Sequence, residues 1–197
     1  MTSLEFWPTL VLAIVVASWF VFGILFFTRK KPPGAPESKR ERASILGIVL
    51  QGASYGITWV VHRPYFSPLV GLSKPLEVGL AVLTILVAVG SVLFVSAAIR
   101  TLGKQWSLAA RLIEGHKLVT EGPYRLVRNP IYTGMFGMLL ATGLAVSHWV
   151  GLLIAIVVYT VGTVIRVRSE EKLLRGAFGA EFDSYARRVP AVIPFLF

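Results

Sequence analysis

The stretch Gly122-Pro-Tyr-Arg-Leu-Val-Arg-Asn-Pro-Ile-Tyr-Thr-Gly134 lies where a basic, polar connector gives way to an apolar run. Gly122-Pro123 is a turn signal. Asn129-Pro130 predicts a helix start, because an Asn side chain can cap free amide groups and a first-position proline sacrifices no hydrogen bond. The tyrosines and arginines between these signals could hold a charged, aromatic ligand at a water–lipid boundary. The same residue types also anchor membrane proteins at that depth, so the spacing alone leaves both interpretations open.

The composition indicates a membrane protein. Of 197 residues, 55% are hydrophobic and 15% are charged, whereas soluble domains carry about 25% charged residues. The apolar residues occur in long blocks, which predicts an all-α integral membrane protein that crosses the bilayer several times. There is no cysteine, which excludes disulfides and thiolate metal ligands, and no metal site is predicted. The net charge of +10 does not indicate a nucleic-acid partner, because the basic residues cluster at the ends of apolar runs.

Five apolar runs predict five transmembrane helices. They cover residues 7–27, 43–61, 76–99, 131–146 and 149–165. The first run is followed by a basic loop rather than a cleavage pattern, which predicts that it is retained. The last two are separated by two residues and predict a tight hairpin; sixteen residues span about 24 Å, short of a core of about 30 Å. In the second run, Gly52 and Gly56 predict a close helix contact within the chain.

The distribution of lysine and arginine predicts the orientation. Six lie in the loop 28–42, six in the connector 100–128 and six in the tail 166–197, but only two in the loop 62–74. Because basic loops stay in the cytoplasm, five spans place the N-terminus outside and the C-terminus in the cytoplasm. The loop 28–42 is predicted to be solvated, and the connector to be an interfacial, partly helical segment.

Two adjacent carboxylates, Glu170 and Glu171, follow the last apolar run directly. If the helix continues, Arg166 and Glu170 share a face at the i, i+4 spacing. Carboxylates that leave a membrane helix are costly without partners. The pattern fits either an interfacial ion pair or a functional site.

The segment 116–134 resembles the cofactor motif of the isoprenylcysteine carboxyl methyltransferase family, which groups with phospholipid methyltransferases. Two further blocks resemble the same family: Thr101-Leu-Gly103 with Trp106-Ser107, and a C-terminal block comprising Arg166, Glu170-Glu171, Leu173, Phe178-Gly179, Phe182, Tyr185, Arg188-Val-Pro190 and Pro194-Phe195. The resemblance covers roughly residues 100–197. It divides the chain into three N-terminal transmembrane helices with the basic loop (1–99) and a methyltransferase-like catalytic region (100–197).

The resemblance implies an integral membrane methyltransferase with a cytoplasmic cofactor pocket in its C-terminal half. It would move a methyl group from S-adenosylmethionine to a lipophilic acceptor, either an isoprenylcysteine-like carboxylate or a lipid amine, and release S-adenosylhomocysteine. In agreement, no Gly-rich loop of the Rossmann type follows a predicted strand. The implied cofactor-binding residues are His116, Lys117, Leu118, Val119, Gly122, Tyr124, Arg128, Asn129, Pro130, Tyr132 and Glu170. The family commonly has His at the position of Asn129.

The resemblance also implies catalytic roles for Arg166, Glu170 and Glu171, with Arg166 beside the reacting centre. Methyl transfer from a sulfonium is an in-line displacement, which depends mainly on alignment. A carboxylate acceptor needs no base, whereas an amine or thiol would need a glutamate as the base. Which glutamate meets the cofactor stays open, with Glu170 favoured because it shares the Arg166 face.

Two other functions fit parts of the sequence. A steroid-reductase-like membrane enzyme would bind NADPH in a comparable pocket, and the abundant arginines suit a 2′-phosphate. A non-enzymatic membrane scaffold would need only the paired glycines and the basic loops. The sequence does not indicate an oligomeric state.

Overall fold

Six α-helices are present in the part of the chain that the computed structural model describes, residues 6–27, 37–40, 43–64, 67, 73–105, 111–113 and 117–193. They are α1 (Phe6–Phe27), α2 (Ala43–Val60), α3 (Lys74–Leu102), α4 (Pro130–Val146), α5 (Trp149–Phe178) and α6 (Ala180–Arg188). Two short strands, β1 (Glu37–Arg40) and β2 (Arg111–Ile113), pair antiparallel. Short 3-10 helices cover Gly103–Gln105 and Gly122–Arg125.

The helical membrane architecture predicted from the apolar runs is confirmed. Helices α1, α2, α3 and α5 are long and apolar enough to cross a membrane. Helix α4 has 17 residues, which corresponds to about 25 Å and is short of the hydrocarbon core, as its sequence predicts. Large apolar side chains such as Phe20, Leu86 and Val157 are exposed on the outer faces. These faces are suited to contact with lipid chains, and the chain is an integral membrane protein.

Helix α5 continues well beyond the end of its apolar run at Ile165. Its 30 residues extend about 45 Å, so its last third lies outside a hydrocarbon core of about 30 Å. The added turns are rich in good helix formers. The helix ends at Gly179, whose positive φ of 50° favours glycine. The continuation places Arg166 near the membrane boundary and Glu170 one turn beyond it.

The two basic segments that follow α1 and α3 meet through the strand pair. Strand β1 comes from the loop predicted to be solvated, and β2 from the connector predicted to be partly helical. Neither strand is indicated by the sequence, because each has only three or four residues and depends on a partner far along the chain. The pairing places both segments on the same side of the helices, the arrangement expected from the lysine and arginine distribution.

The predicted helix contact through Gly52 and Gly56 is wrong. A Cβ atom added at either glycine would meet nothing within 4 Å. The close approach of α2 to α5 instead occurs at Gly47 and Gly162, where an added Cβ would lie 2.7 Å and 2.9 Å, respectively, from the other glycine's carbonyl oxygen. The face of α2 that meets α5 carries Gly47 and Gln51, and the exposed glycines lie outside it.

Arg63 closes the end of the α4–α5 hairpin at which the two helices are connected. Its guanidinium donates hydrogen bonds of 2.8 Å to the carbonyl oxygens of Leu144, Ala145 and Ser147. These groups lie at the C-terminus of α4, where a cation satisfies the unpaired carbonyls. Burial lowers the pKa of Arg63 to about 10, so the side chain stays charged at neutral pH. Arg63 therefore has a structural role on the side opposite the carboxylates.

Candidate active site

Arg166 is the centre of a buried polar cluster formed by α2, α4 and α5. The residue is only 4% exposed. Its Nη1 atom donates to Gln51 Oε1 at 3.1 Å, and its Nη2 atom lies 3.7 Å from Glu170 Oε1. The guanidinium carbon is 4.8 Å from the centroid of the Tyr132 ring. The predicted shared face of Arg166 and Glu170 is confirmed, and the positive charge is surrounded by a carboxylate, an amide oxygen and an aromatic face.

Glu170 is held on one side only. The Tyr132 hydroxyl donates to its Oε1 atom, the same oxygen that lies nearest Arg166. Among the described residues, no hydrogen bond or ion pair engages Oε2, and the side chain is 27% exposed. Tyr132 is itself fixed, because its carbonyl oxygen accepts a hydrogen bond of 2.7 Å from Tyr159. Glu170 therefore presents a fixed carboxylate oxygen that a ligand could reach.

Glu171 belongs to a different contact. Its Oε1 atom lies 2.9 Å from Nε and 2.8 Å from Nη2 of Arg128. The Nη1 atom of Arg128 also donates to the carbonyl oxygens of Ala186, at 2.8 Å, and Val189. Arg128 thus joins the turn before α4 to the last third of α5 and to the end of α6. Both carboxylates are engaged while α5 continues as one helix from Trp149 to Phe178, and Glu170 is the one in the Arg166 cluster.

Asn129 does not cap α4 with its side chain, so that prediction is wrong. It occupies the N-cap position, and Pro130 begins the helix as expected, but the side chain makes no capping hydrogen bond. Its Nδ2 atom donates to the carbonyl oxygen of Ala191 at 3.0 Å, and its backbone N–H donates to the same oxygen at 2.9 Å. The segment after α6 runs beside the turn and supplies a partner that the local sequence does not show.

Tyr124 lies under the turn that begins at Gly122. Gly122 has a positive φ of 56° and opens the 3-10 helix, which confirms the turn signal. Tyr124 is 7% exposed, and its carbonyl oxygen accepts a 2.6 Å hydrogen bond from the Tyr185 hydroxyl. Burial, aided by the charge of Glu170, raises the pKa of Tyr124 well above its usual value. Burial also raises the pKa of Tyr185 to about 12. Both phenols are therefore neutral at physiological pH.

The other predicted cofactor residues lie in the segment that precedes the turn at Gly122. Lys117, Leu118 and Val119 lie before the turn in a segment that is neither helix nor strand. The backbone N–H of Lys117 donates to Gln105 Oε1, and in the described part of the chain no side-chain hydrogen bond joins the three residues to Arg166 or Glu170. His116 lies outside the described residues, as do Trp106-Ser107 and Pro194-Phe195 of the family blocks. Their assignment stays a prediction.

Gln51 is the site residue that sequence reasoning missed. It is 2% exposed, and its Nε2 atom donates to Thr163 Oγ1 at 2.9 Å while its Oε1 atom accepts from Arg166. A polar amide within an apolar span is costly unless paired inside the protein. That signal was present in the sequence, but it did not identify the partner.

An apolar groove of about 280 Å³ lies beside the cluster. It is lined by Phe136 of α4, by Tyr159, Thr160, Thr163, Val164, Val167 and Arg168 of α5, and by Ala191, Val192 and Ile193 after α6. Of these lining residues, Tyr159 donates a hydrogen bond to the carbonyl oxygen of Tyr132, and Thr163 accepts one from Gln51. Two of the groove's lining residues therefore also bond to members of the Arg166 cluster, and the exposed Arg168 supplies the groove's charge.

Comparison with known protein families shows which family the sequence around this cluster matches. Residues 79–181, just over half of the chain, match the family model described as phospholipid methyltransferase. The chain belongs to the phospholipid methyltransferase family. The matched range contains Tyr124, Arg128, Tyr132, Arg166 and both carboxylates, whereas Gln51 lies before it. The family relationship therefore covers most of the cluster and leaves its α2 component outside.

Several curated proteins are similar to the same part of this family member. Protein-S-isoprenylcysteine O-methyltransferase B of Arabidopsis thaliana is 34% identical over 101 residues, 50% of this chain and 51% of that protein. The protein-S-isoprenylcysteine O-methyltransferase of Schizosaccharomyces pombe is 32% identical over 51% of this chain and 44% of its own length. The cobalt-zinc-cadmium resistance protein CzcN of Cupriavidus metallidurans is 37% identical over 50% of this chain and 46% of its own length. The chain thus spans about half the length of these relatives.

Proposed function

We propose that the protein is a membrane methyltransferase that transfers a methyl group from S-adenosylmethionine to a lipophilic acceptor. The observation that carries the proposal is the Arg166–Glu170–Tyr132 cluster, which lies where α5 leaves the hydrocarbon core and within the family-matched range. Two similar relatives bear the name isoprenylcysteine O-methyltransferase, which supports this reaction class. The family membership and this cluster together support methyl transfer at a membrane surface.

The residues present fit S-adenosylmethionine. The cofactor carries an amino group and ribose hydroxyls, and Glu170 Oε2 is a fixed acceptor for either. The neutral phenol ring of Tyr124 supplies aromatic surface of the kind that attracts a cation such as a sulfonium, while Tyr132 holds Arg166 with its ring and Glu170 with its hydroxyl. In this proposal, Lys117 to Val119 and the turn at Gly122 complete a cytoplasmic pocket formed by residues 100–197. Arg128 and Asn129 support the pocket through the segment after α6.

The bound cofactor supplies an electrophilic methyl group; the protein supplies alignment and charge. Glu170 lies beside Arg166, so the cluster is not strongly cationic and can tolerate a positively charged cofactor nearby. Arg166 lies one helical turn, about 6 Å, deeper toward the bilayer than Glu170. We place it where a carboxylate acceptor arriving from the membrane would be oriented by its charge. Such an acceptor is already ionised and needs no base; a lipid amine would have to pass a proton to Glu170.

The groove supports a lipophilic acceptor. Its walls are apolar, it is lined by residues of α4, α5 and the segment after α6, and its charged side chain is Arg168. A cation at an apolar groove complements a chain that ends in a carboxylate better than one that ends in an amine. We therefore favour an isoprenylcysteine-like carboxylate over a lipid amine. The corresponding probes are N-acetyl-S-farnesylcysteine and phosphatidylethanolamine vesicles, each incubated with S-adenosylmethionine labelled in its methyl group.

The first prediction tests the donor. Purified protein in detergent should bind S-adenosylhomocysteine, and Glu170→Gln should raise the dissociation constant about tenfold or more, because a hydrogen bond to a charged group contributes about 1.5–3 kcal/mol. Isothermal titration calorimetry measures both. The matched control is Glu181→Gln on the exposed part of α6, which should bind as the parent does. Preferential binding of NADPH would instead support a reductase, and binding of neither ligand would support a scaffold.

The second prediction concerns orientation. We propose that the N-terminus is outside and the C-terminus cytoplasmic, because 18 of the 20 lysines and arginines lie in the loop 28–42, the connector and the tail. In bacterial cells, a fluorescent protein fused after Phe197 should be fluorescent, and alkaline phosphatase fused at the same point should be inactive. Fusions in the loop 62–74, at Ser67 for example, should give the reverse. Phosphatase activity after Phe197 would invert the topology and move the carboxylates to the outer surface.

A further inference from the structure

Gln51 contacts α5 at two points one helical turn apart. Its amide nitrogen donates to Thr163 Oγ1 at 2.9 Å, and its amide oxygen accepts from Arg166 Nη1 at 3.1 Å. The nitrogen of a carboxamide only donates and the oxygen only accepts. The Arg166 guanidinium only donates, so it requires the amide oxygen on its side and leaves the nitrogen facing the Thr163 hydroxyl, which can accept. With 2% exposure, water does not compete for either bond.

The same helix also supports the stem of Arg166. A Cβ atom added at Gly47 would lie 2.4 Å from Arg166 Cγ and 2.7 Å from the carbonyl oxygen of Gly162. The aliphatic part of Arg166 therefore lies directly across Gly47, one turn before Gln51 on α2. The two helices approach closely here because neither Gly47 nor Gly162 has a side chain. Helix α2 thus provides both a floor for the side chain and an acceptor for its charged end.

A role limited to helix packing does not account for this arrangement. The Thr163 bond alone would satisfy the amide nitrogen and join the two helices. The amide oxygen, however, bonds the one buried arginine of the family-matched cluster and leaves that guanidinium over the Tyr132 ring and beside Glu170. Hydrogen bonds to charged groups are stronger and more directional than neutral ones. Groups from α2, α4 and α5 therefore define the direction of the guanidinium.

We propose that Gln51, supported by Gly47, is a positioning residue that orients Arg166 for methyl transfer. The N-terminal region would then complete the active site, although it precedes the range 79–181 that matches the family. This inference rests on the proposed function. It differs from a packing role because the effect of Gln51 on the reaction must pass through Arg166.

A double-mutant cycle tests this route. Turnover is measured with N-acetyl-S-farnesylcysteine, or with phosphatidylethanolamine vesicles if the parent methylates only those, for Gln51→Leu, Arg166→Lys and the double variant. Gln51→Leu should lower kcat about tenfold in the parent, because an oriented bond to a charged group is lost. In the Arg166→Lys background, its effect should fall to within about twofold, because residues that act as a unit are not additive. The dissociation constant for S-adenosylhomocysteine should stay near that of the parent.

Two further variants keep the test decisive. Gln51→Glu retains an acceptor oxygen for Arg166, so its turnover should be close to that of the parent. If Gln51→Leu does not fold, Gln51→Glu replaces it in the double-mutant cycle. Gly52→Ala, the neighbouring residue with nothing within 4 Å, is the control and should match the parent. Equal effects of Gln51→Leu in both backgrounds would overturn the positioning role and leave the proposed function intact. Parent-like turnover in Arg166→Lys and Arg166→Ala, or no methylation of either probe by the parent, would count against the proposed function itself.

Discussion

Arg166→Ala is expected to lower the rate of methyl transfer about ten- to a hundredfold, with a much smaller change in affinity for S-adenosylhomocysteine. The substitution removes a buried charge that contacts Gln51, Glu170 and the Tyr132 ring. Loss of a hydrogen bond to a charged group is worth about 1.5–3 kcal/mol, which corresponds to one to two decades in rate. We place Arg166 at the acceptor and Glu170 at the cofactor, so turnover should fall more than cofactor binding.

The measurement separates these two quantities. Transfer of the labelled methyl group gives turnover, and calorimetry gives the cofactor dissociation constant on the same preparations. Arg166→Lys should recover little activity, because an ammonium is a point charge and cannot reproduce the planar contacts with an amide, a carboxylate and an aromatic ring. The control is Arg187→Ala, an exposed arginine on α6. If Arg166→Ala equals the parent in both measurements, the cluster is an interfacial ion pair and the assigned site is wrong.

The sequence predicts those features that depend on neighbouring residues. The five apolar helices follow from the length and composition of the runs, and the turn at Gly122 and the helix start at Pro130 follow from local backbone preferences. The shared face of Arg166 and Glu170 follows from helical periodicity once the helix continues. Each of these requires only a short stretch of chain, and each agrees with the structure.

The features that the sequence did not predict depend on distant partners. Gln51 is 115 residues from Arg166 in the chain, and only the packing of α2 on α5 brings them together. The same packing decides that Gly47 rather than Gly52 makes the close helix contact. Asn129 gives up its expected capping bond because the carbonyl oxygen of Ala191, from the segment after α6, is within reach. No periodicity in a single segment contains this information.

Arg128 shows how such contacts add a structural role to a predicted one. Its place in the cofactor motif suggests a direct ligand, but its guanidinium is already engaged by Glu171 and by the carbonyl oxygens of Ala186 and Val189. Its backbone N–H also donates to the carbonyl oxygen of Pro190 at 2.8 Å. Arg128 therefore acts on the proposed pocket by holding the segment after α6 against the start of α4. Removing it should affect stability and binding together.

Arg128→Ala is accordingly expected to destabilise the protein by about 3 kcal/mol, because it leaves the largely buried Glu171 carboxylate without its partner. For a chain of this size the melting temperature should fall by about 5–10 °C, with cofactor affinity falling in parallel. Thermal unfolding in detergent and calorimetry measure the two effects.

Arg188→Ala is the matched control, since this arginine is exposed and, within the described part of the chain, bonds only to its own helix. The double variant Arg128→Ala/Glu171→Ala removes the stranded charge as well, so it should melt above Arg128→Ala. If Arg128→Ala keeps the parent's melting temperature but loses cofactor binding, Arg128 contacts the cofactor directly and is not a clamp.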